Sequence, residues 1–322
     1  MFSTAKLGVG AVSIFAIRNA YRVSHLTGKQ LIIISSRSQI DYDGGYLGIT
    51  TKNFVDLTKQ YKELWPRSEV LLARDHCGPN IKFKDEDISK IRTSIEWDCS
   101  CNFDIIHIDF SRAKDLISTS CSLMRDALAI NPHIRFEVGK EENDGNLDTM
   151  EDILETIDVY KEFPLEFFAL RTGSSLSNGK QVGSIRKEEI LDSVNYLHGL
   201  NIRVKEHNAD YSSIEEVMER TNLVDTMNVA PEFGVIQTKK TIELCEKFGI
   251  DDSEFLNKAY ETQAWKRWAP TSDILTKSVV SGHYVFNTKE YKDLIEKLDS
   301  KIDVISEFDS ALELAIRKYL CT

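Results

Sequence analysis

The alternation of short apolar runs with longer amphipathic ones is what most narrows the folds open to this chain. Eight short runs read as buried strands: Gly8 to Ser13, Leu31 to Ser35, Val70 to Asp75, Asp104 to Asp109, Ile134 to Gly139, Phe167 to Leu170, Ile202 to His207 and Thr226 to Val229. Helical spacing follows each of them, at Ile14 to Leu26, Thr51 to Leu64, Asp85 to Trp97, Asp115 to Ile130, Thr149 to Glu162, Lys187 to Leu197, Ser213 to Glu219 and Gln237 to Phe248. About eight strand–helix units in about 250 residues predict an α/β chain, a (β/α)8 TIM barrel. An open doubly wound sheet loses ground because no G-x-G-x-x-G follows the first strand. Beyond about Asp251 the pattern is helical only, with Trp265, Trp268 and Ile302 to Tyr319 at helix-like spacing. The expectation is a barrel over residues 1–250 that carries the site, and a helical C-terminal extension over residues 251–322.

Charge and cysteine usage exclude several classes of function. The chain has 322 residues and a net charge of −11, which repels phosphate backbones and argues against a nucleic-acid partner. Only Cys99 and Cys101 lie close together, and one Cys-x-Cys without a second pair is poor zinc spacing and no disulfide framework. Met1 to Ala16 is mildly apolar, but it lacks the basic start of a signal peptide and is broken by Gly8, Gly10 and Ser13. No run approaches the ~20 apolar residues of a membrane span. A soluble cytoplasmic protein with a small-molecule substrate, and no membrane partner, is expected.

In a barrel of this kind the catalytic groups sit at the carboxyl ends of the strands. There the sequence places Ser36, then Asp75 and His76, then Asp109. Glu137 follows with Glu141 and Glu142 in the next loop, then Arg171, then His207 and Asn208, then Asn228 and Glu232. Two histidines and a carboxylate make a workable set for a catalytic divalent metal, which can polarise a carbonyl and stabilise an enolate. A histidine at a strand end can equally be a satisfied polar group of the core, and Glu141 and Glu142 a solvated loop. Cys77 is either a nucleophile or a small buried thiol. His25, His107, His133 and His198 fall on helices, inside a strand or at a strand's start, and are left out of the site. His283 belongs to the tail, and reaches the rim only by chain reversal or from a neighbouring subunit.

Asp75-His76-Cys77-Gly78-Pro79-Asn80 resembles the D-H-L-G-P-N stretch of the "non-catalytic" subunits of tagatose-bisphosphate aldolase. Asp41-Tyr42-Asp43-Gly44-Gly45-Tyr46-Leu47-Gly48 is similar to their N-Q-F-G-G-Y-T-G loop, and Ile106-His107-Ile108-Asp109 to their I-H-L-D. Glu206-His207-Asn208-Ala209-Asp210-Tyr211 resembles their E-A-H-S-T-D-Y, and Asn228-Val229-Ala230-Pro231 their K-V-G-P. These subunits resemble in turn the zinc-dependent class II fructose- and tagatose-bisphosphate aldolases. The resemblance implies Asp75 assisting the aldehyde oxygen, His76 and His207 as ligands of a divalent metal, zinc, and Glu142, or else Glu141, moving the α-proton. It also implies a homo-oligomer, or a catalytic aldolase partner subunit.

Two departures shape the expectation further. Where the catalytic family has a ligand His after the sixth strand, this chain has Arg171, which cannot bind a cation, so that the site either takes Glu137 as third ligand or binds metal weakly. Glu232 falls where a phosphate would want donors, so a substrate without phosphate at that end is expected, with Ser36, Asp109, Arg171, Asn208 and Asn228 as binding residues. The reading is a class II-like, metal-dependent aldolase acting on a sugar or sugar derivative. The alternative is a barrel without turnover that supports a partner aldolase.

Overall fold

The computed structural model describes residues 4–79, 85–110, 116–140 and 142–321, and Asn80 and Glu141 of the motifs above lie outside them. The barrel strands are β1 (Leu7–Gly10), β2 (Leu31–Ser36), β3 (Val70–Asp75), β4 (Ile105–His107), β5 (Arg135–Gly139), β6 (Leu165–Ala169), β9 (Arg203–Glu206) and β10 (Thr226–Val229). All pair in parallel, and β1 closes the ring on β10 with Leu7 opposite Met227. The predicted TIM barrel is what the chain forms. A two-stranded hairpin, β7 (Leu176–Ser177) and β8 (Lys180–Gln181), stands in the loop after β6, where the sequence reads as plain loop.

The outer layer holds α1 (Ile14–Thr27), α2 (Thr51–Leu64), α3 (Asp85–Ser100), α4 (Ile117–Ile130), α5 (Met150–Tyr160), α6 (Lys187–Gly199), α7 (Ile214–Thr221) and α8 (Pro231–Phe248). The first strand is shorter than its apolar run, because Ser13 leaves it to cap α1, its hydroxyl accepting the Ala16 N–H at 3.0 Å.

Side chains alternate between two interiors, as strand geometry requires. Ile32, Ile34, Ala73, Ile105 and Phe167 fill the barrel, while Ile33, Leu72, Ile106, Phe136 and Val204 pack outward against the helices. Polar residues on the outward parity are tied to those helices. Arg74 forks onto Asp98 of α3 at 2.7 and 2.6 Å, and Arg220 of α7 meets Glu206 at 3.0 Å, all four fully buried. Residues of the inward parity near the carboxyl ends are therefore the ones that can meet over the barrel axis.

After α8 come α9 (Ser253–Glu261), α10 (Trp265–Trp268), α11 (Ile274–Ser281), a 3-10 turn over Gly282–Val285, α12 (Lys289–Asp299) and α13 (Val304–Leu320). Leu312, Ile316 and Tyr319 of α13 join the main core beside α1 and α8. The 3-10 turn lies tight on α8, where a Cβ at Gly282 would come within 2.2 Å of the Thr238 hydroxyl. That contact brings the turn back over the rim of the barrel.

Candidate metal and aldol site

Three imidazoles converge at the carboxyl ends of the strands. The rings of His76, His107 and His207 lie 5.3 to 5.8 Å apart, centre to centre. Donor atoms of His107, Glu137 and His207 fall within 4.8 Å of one another, and so do those of Asp75, His76 and His207. His107 is fully buried, and neither of its ring nitrogens has a hydrogen-bond partner among the described residues. Such an orphaned ring is costly in a protein interior unless something else takes its lone pair. Each set joins two imidazoles to a carboxylate, His107 and His207 with Glu137, and His76 and His207 with Asp75, which suits a zinc-like divalent ion.

The local backbone explains how each group arrives there. β3 ends at Asp75, and His76 turns out of it with φ +48, a left-handed conformation that a non-glycine residue adopts at a cost. The Cys77 N–H then donates to the His107 carbonyl at 2.9 Å. A Cβ at Gly78 would stand 1.5 Å from the Asp109 carbonyl oxygen, so only glycine passes. This close approach puts His76 3.6 Å from the Asp109 carboxylate and 3.7 Å from Asp75. Burial pushes the Cys77 thiol up to about 12, so it stays protonated and is no nucleophile.

Glu137 is aimed by a register shift between Phe136 and Glu137, where β5 carries an irregularity against β6. One of its oxygens takes the His207 Nε2 at 2.6 Å and the other the Lys205 ammonium. Burial alone would raise the Glu137 carboxyl, but Lys205, His107 and His207 outweigh it and hold the group well below the usual carboxylate range. Asn228 Nδ2 stands 3.2 Å from the His207 Nε2. Gly8 on β1 makes room for it, since a Cβ there would lie 2.2 Å from the Asn228 side-chain oxygen.

A cleft of about 110 Å³ opens over this cluster. Ser36, Asp75, His76, His207, Asn208 and Asn228 face it, which brings together half of the residues that the sequence placed at the strand ends. Glu142, its side chain half-exposed, lines a neighbouring small cavity that shares His207 and Asn208 with the cleft. Arg171 is held by carboxylates: Asp148 at 2.8 Å, Asp144 at 3.3 Å and Glu142 at 3.7 Å. Its guanidinium fastens the Glu142 loop. The Asn143 side chain adds a two-way bond to the Leu176 backbone on the hairpin, at 2.8 and 2.5 Å.

Two expectations need correcting. Glu232 does not stand toward a phosphate; its carboxylate accepts from the Tyr211 N–H at 2.5 Å, from Lys318 at 2.6 Å and from the Tyr319 hydroxyl, all away from the cleft. His107, passed over as lying inside a strand, is at the centre of the cluster. Strand alternation carried the signal, because His107 shares parity with Asp109, already a candidate on the same strand. Lys205 was missed likewise, two residues before His207. His283 faces the cleft within this chain, by the first of its two expected routes, reversal of the tail.

Comparison with known proteins agrees with this architecture. A crystal structure of a probable tagatose 6 phosphate kinase from Sinorhizobium meliloti 1021 superposes with a TM-score of 0.85 at 16% identity, over 98% of this chain and 99% of that one. The fructose-bisphosphate aldolase of Campylobacter jejuni superposes at 0.61, also at 16% identity, over 99% of this chain and 90% of that one. At such identity both likenesses are of fold. Residues 4–125, which carry the Asp75-His76 motif, match the family model of D-tagatose-1,6-bisphosphate aldolase subunit GatZ/KbaZ-like.

Proposed function

We propose that this protein is a class II-like aldolase that breaks or makes the carbon–carbon bond next to a carbonyl in a sugar or sugar derivative. The observation that carries this reading is the unsatisfied buried imidazole of His107 among His76, His207 and Glu137. These residues would hold a divalent ion, zinc by the nitrogen-rich donor set. When bound, the ion supplies Lewis-acid polarisation of the substrate carbonyl. His107, on β4, would supply a nitrogen donor that the chain lacks after the sixth strand.

The proton work falls to the chain's own residues. In the cleavage direction Asp75 removes the proton of the hydroxyl on the carbon that leaves. The carbon–carbon bond breaks as the new aldehyde forms, and its electron pair passes into the enediolate. Glu142 then returns a proton to the enediolate carbon, and in the condensation direction it removes that proton. Ser36, Asp109, Asn208 and Asn228 are the binding groups of the rim.

A second reading, a supporting barrel for a catalytic partner, is favoured by the Lys205–Glu137 pair, since an ammonium beside Glu137 competes with a bound cation. One experiment separates the two. Purified protein dialysed without chelator is analysed for metal and assayed for retro-aldol release from ketose phosphates. About one zinc per chain with turnover supports the aldolase. Well under one metal per chain, with turnover only after a partner aldolase is added, supports the second reading.

A further inference from the structure

The corner of a barrel where phosphate normally docks, beyond the last two strands at a helix N-terminus, is filled here from within. Asp210 is buried, and one of its carboxyl oxygens accepts the backbone N–H groups of Ala230 at 3.0 Å and Glu232 at 2.8 Å. Pro231, between them at the first position of α8, has no N–H to offer. The amides that would cradle a phosphate are occupied by a carboxyl group of the chain.

Opposite Asp210 the cleft is walled by the tail. His283 is only 3% exposed, and it lines the cleft together with Asp210, Trp268 and Tyr284. Its Nδ1 is sealed against α8, where a Cβ at Gly234 would approach within 2.7 Å, and it has no hydrogen-bond partner. An under-satisfied acceptor is better tolerated in an interior than an orphaned N–H, so the ring proton belongs on Nε2, the nitrogen left to reach the cleft. Burial pushes the imidazole down to about 3, so it is a neutral donor across the physiological range. Beside it the Trp268 indole N–H donates to the Tyr284 hydroxyl at 3.2 Å, which leaves the Tyr284 proton for another acceptor. The Tyr46 and Tyr284 rings stand 4.9 Å apart. Arg267, stacked on Trp268 at 4.5 Å, also lines the cleft but is exposed to solvent, where ion pairing is worth little.

We propose that this subsite receives the end of the substrate remote from the carbonyl as a free hydroxyl, not as a phosphate. His283 Nε2 donates to that hydroxyl, while Trp268 and Tyr284 flank the carbon chain. The proposal rests on the aldolase reading and specifies its substrate class, a ketose with an unphosphorylated far end.

The test is calorimetric titration of the zinc-supplemented protein with D-tagatose 1-phosphate and D-tagatose 1,6-bisphosphate, with cleavage of each followed separately. The expected result is at least ten-fold tighter binding of the monophosphate. H283F should lose that affinity ten-fold or more, and H283Q, which keeps a donor at the same reach, should stay within about three-fold of wild type. D210A, which frees the α8 amides, should strengthen bisphosphate binding about ten-fold. Preference for the bisphosphate, an H283F protein equal to wild type, or binding of neither ketose would overturn the subsite. A monophosphate that binds in a His283-dependent way but is never cleaved would sink the aldolase reading and leave the subsite standing. Cleavage with the bisphosphate preferred would do the reverse.

Discussion

His107 is the residue on which the metal reading depends most. Removing one of three nitrogen donors leaves too few for tight binding, and even losing a residue that merely orients a ligand costs 10–100-fold in metal affinity. H107A is therefore expected to lower zinc affinity by about 100-fold or more, measured by chelator competition. H133A, on an exposed residue away from the cluster, should change nothing. Glu142 carries the second expectation. E142Q should slow proton exchange at the carbon beside a bound ketose carbonyl by about 10²–10⁴-fold, read by deuterium incorporation, with the ketose Kd nearly unchanged. An unaltered exchange rate would move the proton to another carboxylate, Asp75 first. Of these residues, Asp75, His76 and His207 were legible in the sequence because each closes an apolar run, and Glu137 because an acid inside such a run stands out. His107 was not, because an imidazole inside a strand looks like core until the parity of its neighbours is counted.

At the scale of elements, the strands were easy to read and the loops were not. Apolar runs announce buried strands, whereas the hairpin Leu176–Gln181 is two residues a side and held by long-range bonds such as Asn143 to Leu176 and the Asn178 N–H to the Trp268 carbonyl at 2.7 Å. No local pattern encodes such pairings. The strand–helix layer makes its own prediction through the Arg74–Asp98 fork. D98A strands a fully buried guanidinium, and breaking one side of a buried pair costs about 3–5 kcal/mol. Urea unfolding should show a loss of that size, while the double change to apolar residues of similar volume should recover most of it. A loss below about 1 kcal/mol for D98A would mean that water or a neighbour reaches Arg74.

For the molecule as a whole, acidity should act through opposed groups. Glu137 is held low when folded, so it adds stability above its unfolded pKa that is lost as pH falls. Asp210 behaves oppositely. Burial, with Glu232 nearby, raises it from 3.8 to about 7. Its folded state holds the proton more tightly, so the stability it contributes is full below about 4 and is lost as pH rises toward 7. D210N keeps an acceptor for the α8 amides but cannot ionise. Its stability relative to wild type should therefore rise steadily from pH 4 to pH 7 in urea titrations, and a flat difference would mean that Asp210 is not raised. No helix among the described residues is long and apolar enough to cross a membrane, which matches the absence of a long apolar run. The order of elements gave the barrel, but the sequence could not say that the tail returns over the rim, because helical periodicity carries no information about where a helix docks.

The ring's closure also fixes an order of events in time. β1 is made first, yet its second neighbour, β10, begins only at Thr226, and the wall built from Trp268 and His283 follows later still. At about 5–20 residues per second, an emerging chain spends on the order of ten seconds or more with the outer side of β1 unpaired. Open strand edges of this kind invite wrong partners. A nascent chain halted before residue 226 has His76, His107, Glu137 and His207 but no ring to hold them in register, and one halted before residue 268 has the ring but not the far wall. On the proposed reading, an ion site would thus become available before the ligand subsite, and both would come after the chain has spent most of its synthesis as an open sheet.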